Sequence, residues 1–276
     1  MTTEAETAYT ESTSHLSDLI AKRNVLCAFL MDFIPEEDSS AWLELTVLRR
    51  AEIFSQYLKV QPWLITHTYQ PRLVEGALRQ QSLGRLTCAK IANLYDYLQD
   101  ITRGVTPPQH LELKLPEGAV IRNAPQHSGF FIADDAGHAT SFVHYANPAL
   151  IGQGVPDCIN HLRDNHIVSR TVYDPLGFIS REEEVNPATG EALVARYFRP
   201  DGTLALVETF PEKSDTSGVI NSATVYDHEG QKVFSCDYKD ELVCWWLNSL
   251  LRYGNFLPHN LQSCPFSGET PNRYFP

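Results

Sequence analysis

The chain has 276 residues, of which 43% are hydrophobic and 20% charged, enough to bury a full core in one large or two modest domains. Lys plus Arg at 22 against Asp plus Glu at 34 give a net charge of −12, which excludes a generic nucleic-acid binder, because phosphate neutralisation needs clustered cations. No apolar run approaches the roughly 20 residues of a membrane helix, so the composition predicts a cytoplasmic protein without a transmembrane segment.

Residues 1–16 are polar, carry Glu4, Glu6 and Glu11, and read as a disordered tail. Val25–Met31 is a continuous apolar run, read as a central parallel strand. Pro35-Glu36-Glu37-Asp38 ends it. Asp38 or Ser39 then caps a helix whose Leu43, Val47, Ala51, Phe54 and Leu58 recur at helical spacing. Pro62 stops that helix before a second strand, Trp63–Thr66. Strand, loop, helix, strand opens a doubly wound α/β domain, in which the first loop faces the ligand crevice.

From Arg72 to Ile101 the pattern predicts two helices interrupted near Gly84, the second carrying Leu86, Ala89, Ile91, Leu94, Tyr95 and Leu98. Leu111–Ala146 reads as irregular hairpins, and Asp157–Arg163 as a short helical turn. Ile167–Tyr238 carries the strongest signal. Tyr173-Asp174-Pro175-Leu176-Gly177, Asn186-Pro187-Ala188-Thr189-Gly190, Arg199-Pro200-Asp201-Gly202 and Tyr226-Asp227-His228-Glu229-Gly230 each set Pro or Asp ahead of Gly, and so predict an antiparallel meander. A helix follows, with Leu242, Val243, Trp245, Trp246, Leu250 and Leu251 as its apolar stripe. The organisation is therefore 17–108 for the first part of the α/β domain, 109–238 for an inserted β-sheet domain, 239–254 for a helix returning to the α/β domain, and 255–276 for an irregular tail.

No catalytic or cofactor motif stands out. Cys158-Ile159-Asn160-His161 with His166 has zinc-like spacing but lacks a fourth ligand, and Gly152-Gln153-Gly154 lacks the third glycine and the helix of a dinucleotide fingerprint. We therefore expect no metal site, no cofactor and no catalytic residue. The six cysteines are scattered without a C-x-x-C pair, against a disulfide framework. Trp245 and Trp246 are read as core plus a partner interface.

Three stretches carry a family resemblance: Val25–Phe54 with Leu48-Arg49-Arg50-Ala51-Glu52-Ile53-Phe54, Ala92-Asn93-Leu94-Tyr95-Asp96-Tyr97-Leu98, and Ser169–Ser180 with its aromatic-Asp-x-x-Gly turn. They resemble the N-terminal half of bacterial GT-B glycosyltransferases that decorate teichoic acids or glycosylate serine-rich adhesins. The resemblance implies a Rossmann-like α/β domain that binds acceptor, with a large antiparallel β-meander inserted into it. A second Rossmann-like domain, which binds the nucleotide sugar in that family, would begin about where this chain ends. The loop Pro35–Ser40 also lacks the family's small, Gly-containing sequence, and its acidic side chains would repel a diphosphate.

The expectation is an acceptor-binding half for hexose transfer to a cell-wall polymer or serine-rich protein, inactive alone. Element order places acceptor contacts at Asp38, Ser39 and Ser40 on the first loop and at Arg170, Tyr173, Arg196 and Tyr197 on the meander. The expected partners are a transferase that carries the donor domain, or further copies joined through the meander. The alternative is a non-enzymatic subunit that docks on a full-length transferase.

Overall fold

A computed structural model describes residues 27–36, 42–87, 89–103, 115–151, 154–212 and 220–252, together with 111 and 113. These form two compact units, one containing 27–97 and 102–103, the other 98–101 and 111–252.

The first unit is β1 (Ala28–Met31), α1 (Trp42–Leu58), β2 (Trp63–Thr66), α2 (Leu73–Ser82), β3 (Lys90–Asn93) and the single turn α3 (Leu94–Leu98). Its strands pair in parallel in the order β1-β2-β3, with Leu64 of β2 opposite Phe29 of β1 and Ile91 of β3. Leu64 is fully buried beneath Leu48 and Ala51 of α1 and Leu73 and Ala77 of α2. Gly84, at φ 68°, takes the left-handed position that ends α2.

Two expectations change. The segment read as a second helix contains β3, because Ile91, Ala92 and Asn93 are all buried, and an apolar run covered on both faces mimics helical spacing. Among the described residues, β1 lies at the edge of the sheet and the central strand is β2, every residue of which is buried.

The second unit is a ten-stranded antiparallel sheet in strictly sequential order. Its strands are β4 (Val120–Ala124), β5 (Gly129–Ala133), β6 (Ala139–His144), β7 (Cys158–Arg163), β8 (His166–Tyr173), β9 (Ile179–Val185), β10 (Ala192–Phe198), β11 (Leu204–Thr209), β12 (Ser222–Tyr226) and β13 (Lys232–Cys236). The meander expected from turn chemistry is present, and it extends further toward the N-terminus than the strongest signal. The segment read as a helical turn is β7, joined to β8 by Asp164-Asn165, both at positive φ, a hairpin tip without glycine.

Residues paired across strands share a face, so one row runs Phe142, Asn160, Arg170, Glu183, Ala195, Glu208, Ala223, Cys236 from β6 to β13. At the β12–β13 end α4 (Lys239–Arg252) covers the sheet: Trp246 and Leu242 are fully buried, and Trp245 stacks on Phe234 with ring centroids 4.9 Å apart. This helix was expected to return to the α/β domain, yet it clusters with the second unit. A separate core, built on Phe130, Val143 and Ile159 of the opposite face, is closed by Leu111, Leu113 and Ile151.

The segment Gln99–Asp100 is tied into the same unit. Gln99 Nε2 donates to the carbonyls of Ser180 (2.8 Å) and Phe198 (2.6 Å). The buried Arg199 guanidinium donates to Asp100 (3.0 Å) and to the carbonyls of Leu204 (2.8 Å) and Tyr226 (2.6 Å), so one side chain joins two turns and the incoming segment. Arg199→Met leaves those buried carbonyls without their donor and is expected to lower unfolding free energy by about 3 kcal/mol in urea denaturation. Arg196→Met, which removes only an exposed pair with Glu184, is expected to cost less than about 1 kcal/mol in the same measurement.

His161, on the face opposite Arg170, lies 3.3 Å from Ser141 Oγ and 3.2 Å from Thr171 Oγ1. Burial holds its pKa below the usual histidine value, partly opposed by Glu182. The unfolded chain therefore takes up this proton first as pH falls, and stability declines below about pH 6.5. His161→Gln is expected to flatten that part of the stability–pH profile, measured by urea denaturation at stepped pH.

Candidate functional site

Parallel sheets present their ligand-facing surface at the carboxyl ends of the strands, where loops carry polar groups away from the core. In the first unit these ends bring together Asp32, His67 and Asn93, which follow or close β1, β2 and β3. His67 Nε2 lies 3.0 Å from Asp32 Oδ1; the imidazole is 24% exposed and the carboxylate 59%, so the pair is accessible to a ligand. The backbone carbonyl of Asp32 accepts from the amides of His67 (3.3 Å) and Thr68 (3.0 Å), which locks the two strand ends together.

Asn93 beneath them is only 2% exposed and uses its whole amide. Nδ2 donates to Thr66 Oγ1 and to the Thr68 carbonyl, both at 2.9 Å, while Oδ1 accepts from the Tyr95 and Asp96 amides and caps α3. Asp96 then pairs with Arg103 at 2.6 Å, with both side chains at least nine-tenths buried. Tyr69 and Tyr95 meet edge to face, with centroids 5.5 Å apart.

The loop after β1 is held by two amide side chains. Gln70 Oε1 accepts from the Ile34 amide (2.8 Å) and its Nε2 donates to the Ile34 carbonyl (2.7 Å). Gln80, fully buried on α2, donates to the Pro35 carbonyl at 2.7 Å. Gly76 admits the loop against the helix: a Cβ there would stand 3.3 Å from both the Ile34 carbonyl oxygen and Glu36 Cγ. Arg72 pairs with Glu75 and Arg103 with Asp96, each at 2.6 Å, and the Asp32 carboxylate stays 59% exposed beside His67.

Asp38, Ser39 and Ser40 lie outside the described residues. The four meander residues do not converge. Arg170 Nε donates to Asn160 (2.8 Å) and Nη1 to Glu183 (2.8 Å), a carboxylate that also holds Arg181 at 2.6 Å. Tyr197 shares this face but is 1% exposed, and its hydroxyl donates to Glu208 at 2.6 Å. Arg196 points to the opposite face, as strand alternation requires of its neighbour in sequence, and pairs with Glu184 at 2.6 Å. Tyr173 is buried in the Phe130–Val143 core, and burial raises its hydroxyl pKa, aided by Glu182. Trp246 is fully buried, which leaves it no surface for the interface expected of it; Trp245 is half-buried on Phe234.

Cys158 and His161 stand three residues apart on one strand and so face opposite ways. Among the described residues no group of three or more His, Cys, Asp or Glu side chains is placed to hold a metal ion. No described helix is long and apolar enough to cross a membrane.

No protein-family model matches the chain, and no curated protein matches it. Solved structures do. A variant of S. aureus TarM in complex with fondaparinux, α-GlcNAc-glycerol and UDP shares the fold with TM-score 0.57 at 10% identity, over 82% of this chain and 43% of TarM. The glycosylation associate protein complex of Streptococcus agalactiae matches with TM-score 0.55 at 17% identity, over 75% of this chain and 38% of that one. The GtfA/B complex bound to UDP and GlcNAc matches with TM-score 0.51 at 14% identity, over 81% and 42%. The fold is glycosyltransferase-like. TarM and GtfA/B are of the group the sequence resembles. At such identities the likeness is one of fold, and the chain spans about two fifths of the neighbours' length.

Sequence reasoning placed the site on the loop after β1 but missed Asp32, His67 and Asn93. The available signal was the polar residue directly following each apolar strand, and it was hidden at Asn93 because β3 was read as helix. Gln70→Ala removes both bonds to Ile34; it is expected to cost about 1 kcal/mol of global stability while raising amide exchange at residues 33–36 at least about tenfold. Hydrogen-exchange mass spectrometry checks the local effect.

Proposed function

We propose that this chain is the acceptor-side unit of a glycosyltransferase assembly, with the nucleotide-sugar domain contributed from elsewhere. In this reading the three parallel strands belong to a Rossmann-like domain of GT-B type, the ten-stranded sheet is its inserted meander, and the protein works in the cytoplasm. The observation that carries it is the accessible Asp32–His67 pair at the carboxyl ends of the parallel strands, in a fold shared with UDP-bound transferases.

The charge of the edge supports acceptor over donor. A carboxylate near a diphosphate costs about 1 kcal/mol even when well solvated, and Asp32 places one there. The same repulsion disfavours a phosphate-linked polymer and favours an uncharged hydroxyl, such as a serine side chain on a polypeptide. His67 and Asp32 supply the donor and acceptor that a hydroxyl requires, and holding it in place is the contribution an acceptor unit makes to transfer.

A second reading, a non-catalytic subunit docked on a full-length transferase, is favoured by the neighbours that are themselves multi-chain complexes. Isothermal titration calorimetry separates the two. A serine-rich peptide is expected to bind and to lose at least about tenfold in affinity with His67→Ala, whereas UDP-GlcNAc and UDP-glucose give no heat. Micromolar binding of either UDP-sugar would overturn the acceptor-side reading. Silence toward all ligands, together with binding to a transferase chain, would establish the subunit reading.

A further inference from the structure

At the carboxyl end of the parallel sheet several polar groups are already spent on the fold. Asn93 donates to Thr66 Oγ1 and to the Thr68 carbonyl, each at 2.9 Å, and its own oxygen takes the Tyr95 and Asp96 amides. Asp32 and His67 directly follow Met31 and Thr66, which are register partners on β1 and β2, so the parallel pairing brings them to adjacent strand ends. The Asp32 carbonyl accepts from the His67 amide, and this backbone contact fixes the spacing of the pair before a ligand arrives.

The imidazole meets Asp32 Oδ1 at 3.0 Å from Nε2. An ionised carboxylate can only accept, so this approach is attractive only with a proton on Nε2. In the neutral ring the second nitrogen then carries a lone pair instead of a proton. Among the described residues Nδ1 has no hydrogen-bond partner, and the ring is 24% exposed, so that lone pair is left for solvent or a ligand. Bonding to a charged acceptor favours this tautomer by about tenfold or more over the one that turns a bare Nε2 toward the carboxylate. The donor of the pair is therefore Nε2–H, shared with Asp32, and its acceptor is Nδ1.

We propose that Asp32 is a positioning residue that fixes the His67 tautomer, so that Nδ1 takes the proton of the ligand's hydroxyl. The ligand assumed is the hydroxyl of the acceptor-side reading; the tautomer depends on Asp32 alone. The polarity selects between ligands that carry the same oxygen: an alcohol fits, whereas its methyl ether has no proton to give. A hydroxyl that donates to Nδ1 also keeps its oxygen lone pairs free, the state from which an alcohol attacks.

The tautomer is read in the full chain without any ligand. Long-range proton–nitrogen correlation NMR of histidine-labelled protein at about pH 8.5, where histidines are ordinarily neutral, separates a protonated from a bare ring nitrogen, and His67→Gln identifies the signal. The expected spectrum has Nδ1 bare and Nε2 protonated. Asp32→Ala mixes the two tautomers of His67 while the other histidine signals stay in place. Asp32→Asn serves if the alanine variant misfolds, because its amide donates as well as accepts and no longer dictates the tautomer. Calorimetry then compares a serine-rich peptide with the same peptide carrying O-methylserine. The ether is expected to bind at least about tenfold more weakly, a ratio that falls below about threefold in Asp32→Ala, whereas steric exclusion would survive the substitution.

A protonated Nδ1 in the neutral ring, or a tautomer indifferent to both Asp32 variants, overturns the proposal. Equal binding of the two peptides, or a ratio that Asp32→Ala leaves unchanged, overturns it while the acceptor-side reading stands. Silence toward both peptides overturns the acceptor-side reading itself, and with it the hydroxyl assigned to Nδ1.

Discussion

Glu208 is a carboxylate with 1% of its surface exposed, and the second unit is arranged around keeping it charged and satisfied. Strand alternation commits it to the inner face, in the same row as Ala195 and Ala223, whose small side chains leave room for α4. Tyr197 donates to one oxygen at 2.6 Å and Lys239 to the other at 2.9 Å. Lys239 opens α4, so the ion pair ties the start of the helix to the sheet, and Trp246 and Leu242 follow into the core. Removing the lysine would leave a buried charge without its cation, a larger loss than the pair's own net contribution. The row continues the pattern: Glu183, 5% exposed, is held by Arg170 and Arg181, and Arg181 sits 5.1 Å from the centre of the Tyr197 ring. A charged ribbon thus crosses the middle of a sheet whose two ends are closed by apolar packing.

This arrangement explains why the meander was easy to read and its side chains were not. Asp174, Asn186, Asp201 and Asp227 each accept a nearby backbone amide with a side-chain oxygen, and Gly177, Gly190, Gly202 and Gly230 all take positive φ, so the turns are local chemistry visible in sequence. What a strand residue faces depends on which side is covered, and that is decided by elements far away in the chain. Arg196 and Tyr197 look alike as candidates; one is solvated beside Glu184, the other buried with its hydroxyl on Glu208. In the first unit β2 was legible because Pro62 and its apolar run bound it, whereas β3 was lost because burial on both faces erases the alternation that distinguishes a strand. The site followed the same division. Element order pointed to the loop after the first strand, whereas Asp32, His67 and Asn93 become neighbours only through the parallel register.

The two units make opposite use of charge. In the meander, glutamates are buried and neutralised by arginine and lysine, so the charge is structural. At the carboxyl edge of the parallel sheet, Asp32 remains largely solvated beside His67, so the exposed pair offers hydrogen bonds to solvent. Asn93, Gln70 and Gln80 fix that surface with neutral amides, which satisfy backbone groups without adding charge to the site. A rigid, acidic, hydroxyl-compatible edge is suited to orienting an alcohol and ill-suited to a diphosphate.

The first unit's other surface follows from the same economy of burial. Three parallel strands and two full helices bury one face of β1 well, through Met31, Leu48 and Ala51, but leave its outward backbone and Leu30 to solvent among the described residues. An antiparallel sheet tolerates such an edge if it is short or charged; a parallel sheet is ordinarily covered on both sides. β1 is short, at four residues, but it is entirely apolar, and α1 adds Trp42, Phe54 and Tyr57 beside it. Because Glu52 is bonded to Thr87 on the inner side, the aromatic residues are held outward by the fold.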